Sequence, residues 1–214
     1  MVKLSGYDWE SFADAEGVSC VLFISGCLHN CKGCHSPQTH DFNYGLEITD
    51  KVIEHINSEI DKRPFLSALV LSGGDPMYSA KELISILSKI HIPNNNIWCY
   101  SGFTLKEIQS NPDMTALLNK CTHLIDGQFE IDKRDITLNF RGSSNQNVWK
   151  KENNIWVKNM QKMINTSECE KCQYGEVIDE SMAKVLVRCK ARGKNYIYGQ
   201  CVSCNDMKKK EKGK

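Results

Sequence analysis

The sequence predicts an α/β protein built on a largely parallel sheet. Apolar runs of strand length alternate with stretches whose apolar residues recur at helical spacing, in the order β-α-β-α-β-α-β. Each of the main runs ends in a glycine-rich or polar loop, the arrangement that gathers reactive groups at the carboxyl ends of parallel strands. The chain has 214 residues, 41% hydrophobic and 25% charged, enough for one full core and a smaller appendage.

Taken in order, Cys20-Val21-Leu22-Phe23-Ile24 is a continuous apolar run of buried-strand type, and Val52, Ile53, Ile56 and Ile60 then mark a helix. Leu66 to Leu71 is the second strand. Ser79 with Glu82 has the spacing of a capping box, opening a helix through Leu83, Leu87 and Ile90, and Thr104 with Glu107 repeats that spacing before another helix. Ile97 to Tyr100 lies between them as a strand. His123-Leu124-Ile125 and the alternating Ile136 to Phe140 complete the set. Four loops follow strands directly: Ser25 to His35, Ser72 to Pro76, Ser101-Gly102 and Asp126-Gly127-Gln128. They are expected to share one edge and to form the active site.

Composition narrows the chemistry. No apolar run approaches the length that crosses a bilayer, and the first residues lack a secretory apolar core, so a cytoplasmic protein without a membrane partner is expected. Thiols stay reduced there, and eleven cysteines then point to metal or redox chemistry instead of disulfides. Cys27, Cys31 and Cys34 are spaced C-x3-C-x2-C. Three thiolates can hold three irons of a 4Fe-4S cube and leave the fourth iron open to a chelating ligand. A structural zinc site completed by His29, His35 or His40 is the alternative. A two-cluster ferredoxin is disfavoured because its C-x2-C-x2-C-x3-C-P run is absent.

The cysteine loop after a first strand, followed by Gly73-Gly74-Asp75-Pro76 after a second, resembles the radical S-adenosylmethionine enzymes. More closely, the chain is similar to the activating enzymes of anaerobic (class III) ribonucleoside-triphosphate reductase. That likeness rests on Gly26 to Cys34, Leu71 to Pro76, Trp98 to Phe103, Ile125 to Phe129 and Arg141-Gly142-Ser143-Ser144-Asn145-Gln146, spanning roughly residues 5 to 157. The resemblance implies a shortened, partly open β/α barrel. It implies that Cys27, Cys31 and Cys34 ligate a 4Fe-4S cluster whose open iron is chelated by S-adenosylmethionine. Gly33, Cys34 and His35 would lie beside the adenine, Gly73 and Gly74 would offer backbone groups to the methionine amine, and Asp75 would be a secondary contact there. Asp126 and Gln128 complete the implied cofactor contacts. Relatives usually carry Asp-Gly-Lys where this chain has Asp126-Gly127-Gln128, so Gln128 is expected to offer the methionine carboxylate only a neutral hydrogen bond, with Arg141 as a possible compensation. The implied reaction is reductive cleavage of S-adenosylmethionine and hydrogen abstraction from a glycine of the reductase large subunit, fed by a cytosolic one-electron donor such as flavodoxin.

The C-terminal part lies outside that likeness. Residues 1–157 carry 14 basic and 19 acidic side chains and residues 158–214 carry 13 and 7, so the net charge changes from −5 to +6. We divide the chain there into an activase domain, 1–157, and a small basic domain, 158–214, ending in a disordered Lys-rich tail. Cys169, Cys172, Cys201 and Cys204 form two C-x2-C knuckles, the signature of a small zinc-binding domain, and Cys189 is a substitute ligand for any of the four. Val185 to Val187 and Tyr196 to Tyr198 read as short β structure too small to fold without a metal staple. Its charge is compatible with docking on an acidic patch of the reductase or on nucleic acid, and the reductase is the expected partner. Other readings of the sequence are an activase of another glycyl-radical enzyme, of formate-lyase type, a small-molecule radical synthase, and a non-catalytic iron-sulfur or zinc protein that carries electrons or binds nucleic acid.

Overall fold

A computed structural model describes residues 1–159, 163–165, 172–177, 186–191, 194–197 and 201–203. An eight-stranded sheet organises residues 1–159. Its strands are β1 (Lys3–Ser11), β2 (Ser19–Ile24), β3 (Leu46–Glu47), β4 (Ala68–Gly73), β5 (Ile97–Tyr100), β6 (His123–Asp126), β7 (Asn147–Glu152) and β8 (Ile155–Lys158), in the order β3-β1-β2-β4-β5-β6-β7-β8. The helices are α1 (Asp50–Asp61), α2 (Ala80–Leu87), α3 (Leu105–Gln109) and α4 (Pro112–Leu118). Beyond them, β10 (Gly175–Val177), β11 (Leu186–Cys189) and β12 (Lys194–Ile197) form one small antiparallel sheet, and β9 (Met163–Asn165) pairs with β13 (Cys201–Ser203).

The central strands β2, β4, β5 and β6 are parallel, in the order expected. The sheet as a whole is mixed, because β1 and β3 add antiparallel strands at one edge and the β7–β8 hairpin adds two at the other. That hairpin turns on Asn153 and Asn154, both at positive φ, the two-residue geometry that matches strand twist and that asparagine tolerates. Ile136 to Phe140 is not a strand. The Asp135 carboxylate accepts hydrogen bonds from the Thr137 amide and hydroxyl at 2.8 and 2.6 Å, turning the backbone at once. Ile136 is left 85% exposed, and Phe140, at positive φ, folds back under the sheet.

Alternation along the parallel strands sends two sets of side chains to opposite faces. Cys20, Leu22, Ile24, Leu69, Leu71, Ile97, Cys99 and Leu124 face the helices, meeting Ile53 and Ile56 of α1, Leu83 and Leu87 of α2, Ile108 of α3 and Leu117 of α4. The reverse face carries Val21, Val70, Trp98 and Ile125, covered by Ala15 and Phe140 from loops. The expected box at Thr104 is complete, since its hydroxyl accepts from the Glu107 amide and Glu107 accepts from the Thr104 amide. Ser79 makes no such cap: residues 76–79 already form a 3-10 turn running into α2, and Asp75 caps that turn instead.

On the reverse face Trp98 and His123 sit opposite each other on β5 and β6 and stack at 4.1 Å, 13° from parallel. Burial, with the Lys150 charge adding to it, holds the imidazole pKa down at about 3. The unfolded chain binds that proton near the ordinary value, so between these limits it holds more protons than the folded one, and stability falls as pH drops. We expect the parent to lose about 1.5 kcal/mol more than His123→Phe between pH 6.5 and 5 in urea unfolding, because phenylalanine keeps the stacking without the titration. Equal losses would show that His123 does not titrate in this way.

Candidate iron-sulfur site

The carboxyl ends of β2, β4, β5 and β6 bring all four expected loops to one edge. Hydrogen bonds between backbones knit the first two together: the Gly74 amide donates to the Ile24 carbonyl at 2.7 Å and the Asp75 amide to the Gly26 carbonyl at 2.9 Å. The Gly26 amide in turn donates to the Thr39 carbonyl at 2.8 Å. Gly73 has a φ of +100°, and a Cβ on Gly74 would stand 2.7 Å from the Gly26 carbonyl oxygen and 2.8 Å from that of Thr39. Only glycine permits this approach, so the pair has a structural duty besides any ligand contact.

Asp75 is 1% exposed. Its Oδ1 accepts from the Met77 amide at 2.9 Å. Its Oδ2 accepts from Ser101 Oγ at 3.0 Å, from the Gly102 amide at 2.9 Å and from His29 Nε2 at 2.7 Å. Four protein donors thus occupy the carboxylate. Asp126, also buried, is engaged on both oxygens, by the Leu105 amide at the start of α3 and by Asn147 Nδ2. Gln128 is exposed, and its amide nitrogen lies 3.1 Å from His29 Nδ1. His35 is exposed, and Gly33 stands beside Ile131.

The Arg141-to-Gln146 segment closes the edge. Gln146 Oε1 accepts from the Gly142 and Ser143 amides, its nitrogen donates to the Gly127 carbonyl, and Asn145 donates to the Gln128 carbonyl. Arg141 donates through Nη1 to the Gln146 carbonyl, while its Nε is buried without a partner, as is Asn145 Oδ1.

Cys27, Cys31 and Cys34 are free, half-buried thiols on the first loop. Burial pushes the Cys27 pKa up to about 11, opposed by a hydrogen bond from the His29 backbone and reinforced by Asp75 and the other two thiols. Cys31 is raised too, chiefly by burial, against a hydrogen bond from the Phe129 backbone. Thiolates so placed need a cationic partner, and an iron cluster supplies one. Backbone N–H groups aimed at two of the sulfurs suit an iron-sulfur centre, whose potential such hydrogen bonds tune. Among the described residues no three His, Cys, Asp or Glu side chains converge on a point that would hold one ion. Thiolates on separate irons of a cube have no need to converge in that way. The single-zinc alternative gains nothing here, since His29 is turned onto Asp75 and His35 faces outward.

Sequence reasoning picked out the four loops but treated His29 only as a metal ligand. It passed over the aromatic setting of that ring, Tyr78 and Phe103. The available signal was the place of His29 between two thiols. Of the C-terminal cysteines, Cys169 and Cys204 lie outside the described residues; Cys172 is buried, Cys189 ends β11 and Cys201 opens β13.

Gly74→Ala is expected to cost about 1–3 kcal/mol of stability in urea unfolding, the range for forcing a methyl into packed surroundings. Gly6→Ala, whose Cβ would meet only Phe23 at 3.6 Å, serves as the near-neutral comparison. Equal midpoints for the two would show that the loops separate at no cost.

Comparison with known proteins agrees with this edge. The family described as a 4Fe-4S single cluster domain matches residues 13–149. The anaerobic ribonucleoside-triphosphate reductase-activating protein of Pasteurella multocida is 34% identical over 142 residues, 64% of this chain and 90% of that protein. Its namesake in Vibrio cholerae is 39% identical over 139 residues, 61% of this chain and 86% of that protein. The Escherichia coli protein of the same name is 35% identical over 140 residues, covering 62% and 88%. The match takes in the thiol loop, the Gly-Gly-Asp-Pro loop and strands β2 to β6, and on that ground the chain belongs to the 4Fe-4S single cluster domain family, in its branch of anaerobic ribonucleoside-triphosphate reductase-activating proteins.

Proposed function

We propose that this protein is the activase of an anaerobic ribonucleoside-triphosphate reductase and installs a glycyl radical on it. The observation that carries the reading is the thiol loop clamped, backbone to backbone, against Gly73-Gly74-Asp75 at the carboxyl edge of a parallel sheet. Cys27, Cys31 and Cys34 are the residues we assign to a 4Fe-4S cluster. In its reduced form and with S-adenosylmethionine bound beside it, such a cluster would supply the single electron that breaks the sulfonium S–C bond and leaves a carbon fragment able to take hydrogen from a glycine Cα.

The chain's own residues bind, orient and exclude water. Gly73 and Gly74 present backbone groups to the methionine amine, and Gly33, Cys34 and His35 border the adenine. Asp75 and Asp126 shape the edge from below, each through its bonds to neighbouring loops. Arg141, with its Nε unpaired, is the cation we assign to the methionine carboxylate. The architecture we infer is a shortened, partly open barrel: among the described residues the four helices cover one face of the sheet and loops cover the other. The electron donor we propose is a small one-electron carrier of flavodoxin type.

Changing Cys27, Cys31 or Cys34 to Ala is expected to leave iron below the parent's content after anaerobic reconstitution and to abolish 5'-deoxyadenosine formation. Cys99→Ala, buried beneath the helices, should match the parent in both. Full activity in Cys31→Ala would sink the assignment.

We also propose that residues 158–214 are a separate zinc-binding unit held by Cys169, Cys172, Cys201 and Cys204, with Cys189 as the possible substitute, and that it docks on the reductase. A chain ending at Asn159 should keep its cluster and cleave S-adenosylmethionine but activate the reductase less well. The full chain should carry about one zinc, the shortened one none. Zinc retained, or iron lost, on shortening would reassign the C-terminal cysteines.

A further inference from the structure

His29 stands midway between two of the three thiols, two residues after Cys27 and two before Cys31. Its side chain is only 7% exposed. The ring is held on every side. Nε2 lies 2.7 Å from Asp75 Oδ2 and Nδ1 lies 3.1 Å from Gln128 Nε2. Phe103 meets it edge-on with centroids 4.6 Å apart, and Tyr78 lies at 5.4 Å. Gly102 approaches so closely that a Cβ there would overlap the imidazole. An ionised carboxylate only accepts and an amide nitrogen only donates, so one tautomer satisfies both contacts: the proton on Nε2, the lone pair on Nδ1.

From this geometry we infer that His29 is a positioning residue for the thiol loop, and that Gln128 is the latch that holds it from outside. The inference rests on the reading of Cys27, Cys31 and Cys34 as cluster ligands. The chain Asp75–His29–Gln128 ties together the loops that follow β4, β2 and β6, with Gly102 after β5 beneath it. Ordering a backbone residue costs about 1–2 kcal/mol of conformational entropy. A loop already anchored at His29 meets part of that cost in folding, before any cluster arrives. Asn30, at positive φ, then turns the chain so that Cys31 follows from a fixed point. In this arrangement one of the two N–H groups of Gln128 Nε2 is engaged by His29.

Two variants test this, His29→Phe, which keeps a ring of similar shape, and Gln128→Leu, at an exposed position that the fold does not need. In the iron-free protein, iodoacetamide labelling at Cys27 and Cys31, read by mass spectrometry, should be about fivefold faster in Gln128→Leu, the factor expected from one lost hydrogen bond, and faster still in His29→Phe, which loses two. The double variant should go no faster than His29→Phe alone, and Cys99 should stay unlabelled throughout, reporting an intact fold. In the iron-loaded protein without S-adenosylmethionine, both variants should alter the electron paramagnetic resonance spectrum of the reduced cluster. Parent-like labelling and spectrum in both would overturn the inference. A Gln128→Leu protein that is parent-like in both, yet binds S-adenosylmethionine more weakly, would overturn it too, because the amide would then face the carboxylate. Failure of the cluster assignment itself would show elsewhere, as parental iron content in Cys31→Ala.

Discussion

A single buried carboxylate holds the working edge of this molecule together. Asp75 takes hydrogen bonds from its own turn, from the loop after β5 and from the histidine of the thiol loop. Burying such a group without partners would be prohibitive, and four donors make it tolerable. The consequence is mutual dependence. His29 can lie inward only because Asp75 receives it, and Gly102 can donate to Asp75 only because, lacking a side chain, it lets the imidazole pass over it.

The sheet explains why these loops meet at all. Parallel pairing in register brings β2, β4, β5 and β6 to an end at nearly the same level, with Ile24 beside Gly73 and Tyr100 beside Ile125. Antiparallel strands at both edges extend the surface without adding loops at that end between parallel neighbours. With the helices of the described residues on one face, the reverse face keeps a thin cover, the segment around Ala15 and the turn that drops Phe140 onto Trp98.

The thiol loop is polarised in the opposite sense from Asp75. Burial and neighbouring negative charge push the Cys27 proton affinity up, so the loop resists holding thiolates unless positive charge is present among them. The backbone amides of His29 and Phe129 pull in the other direction and aim their dipoles at the sulfurs. A site with these features is matched to a metal cluster and poorly matched to free thiol chemistry.

Much of this was legible in the residues. The apolar runs located β2, β4, β5 and β6, because a strand buried on both faces needs no partner to be recognised. The thiol spacing and the Gly-Gly-Asp-Pro turn marked two of the loops that meet at the carboxyl edge, because close backbone approach restricts which residue types can stand there. Edge strands escaped, since β1, β7 and β8 mix polar and apolar residues and gain their order from neighbours distant in sequence. Ile136 to Phe140 misled for the same reason in reverse: its alternation satisfied strand periodicity, while the Asp135 side chain decided the turn. That Asp75, His29 and Gln128 meet was not legible in the sequence, apart from the hint that His29 stands between two thiols. Local chemistry determined which loops carry reactive groups; only the tertiary structure decided which polar side chains face one another, because a hydrogen bond between residues 29, 75 and 128 depends on three strands first pairing in register.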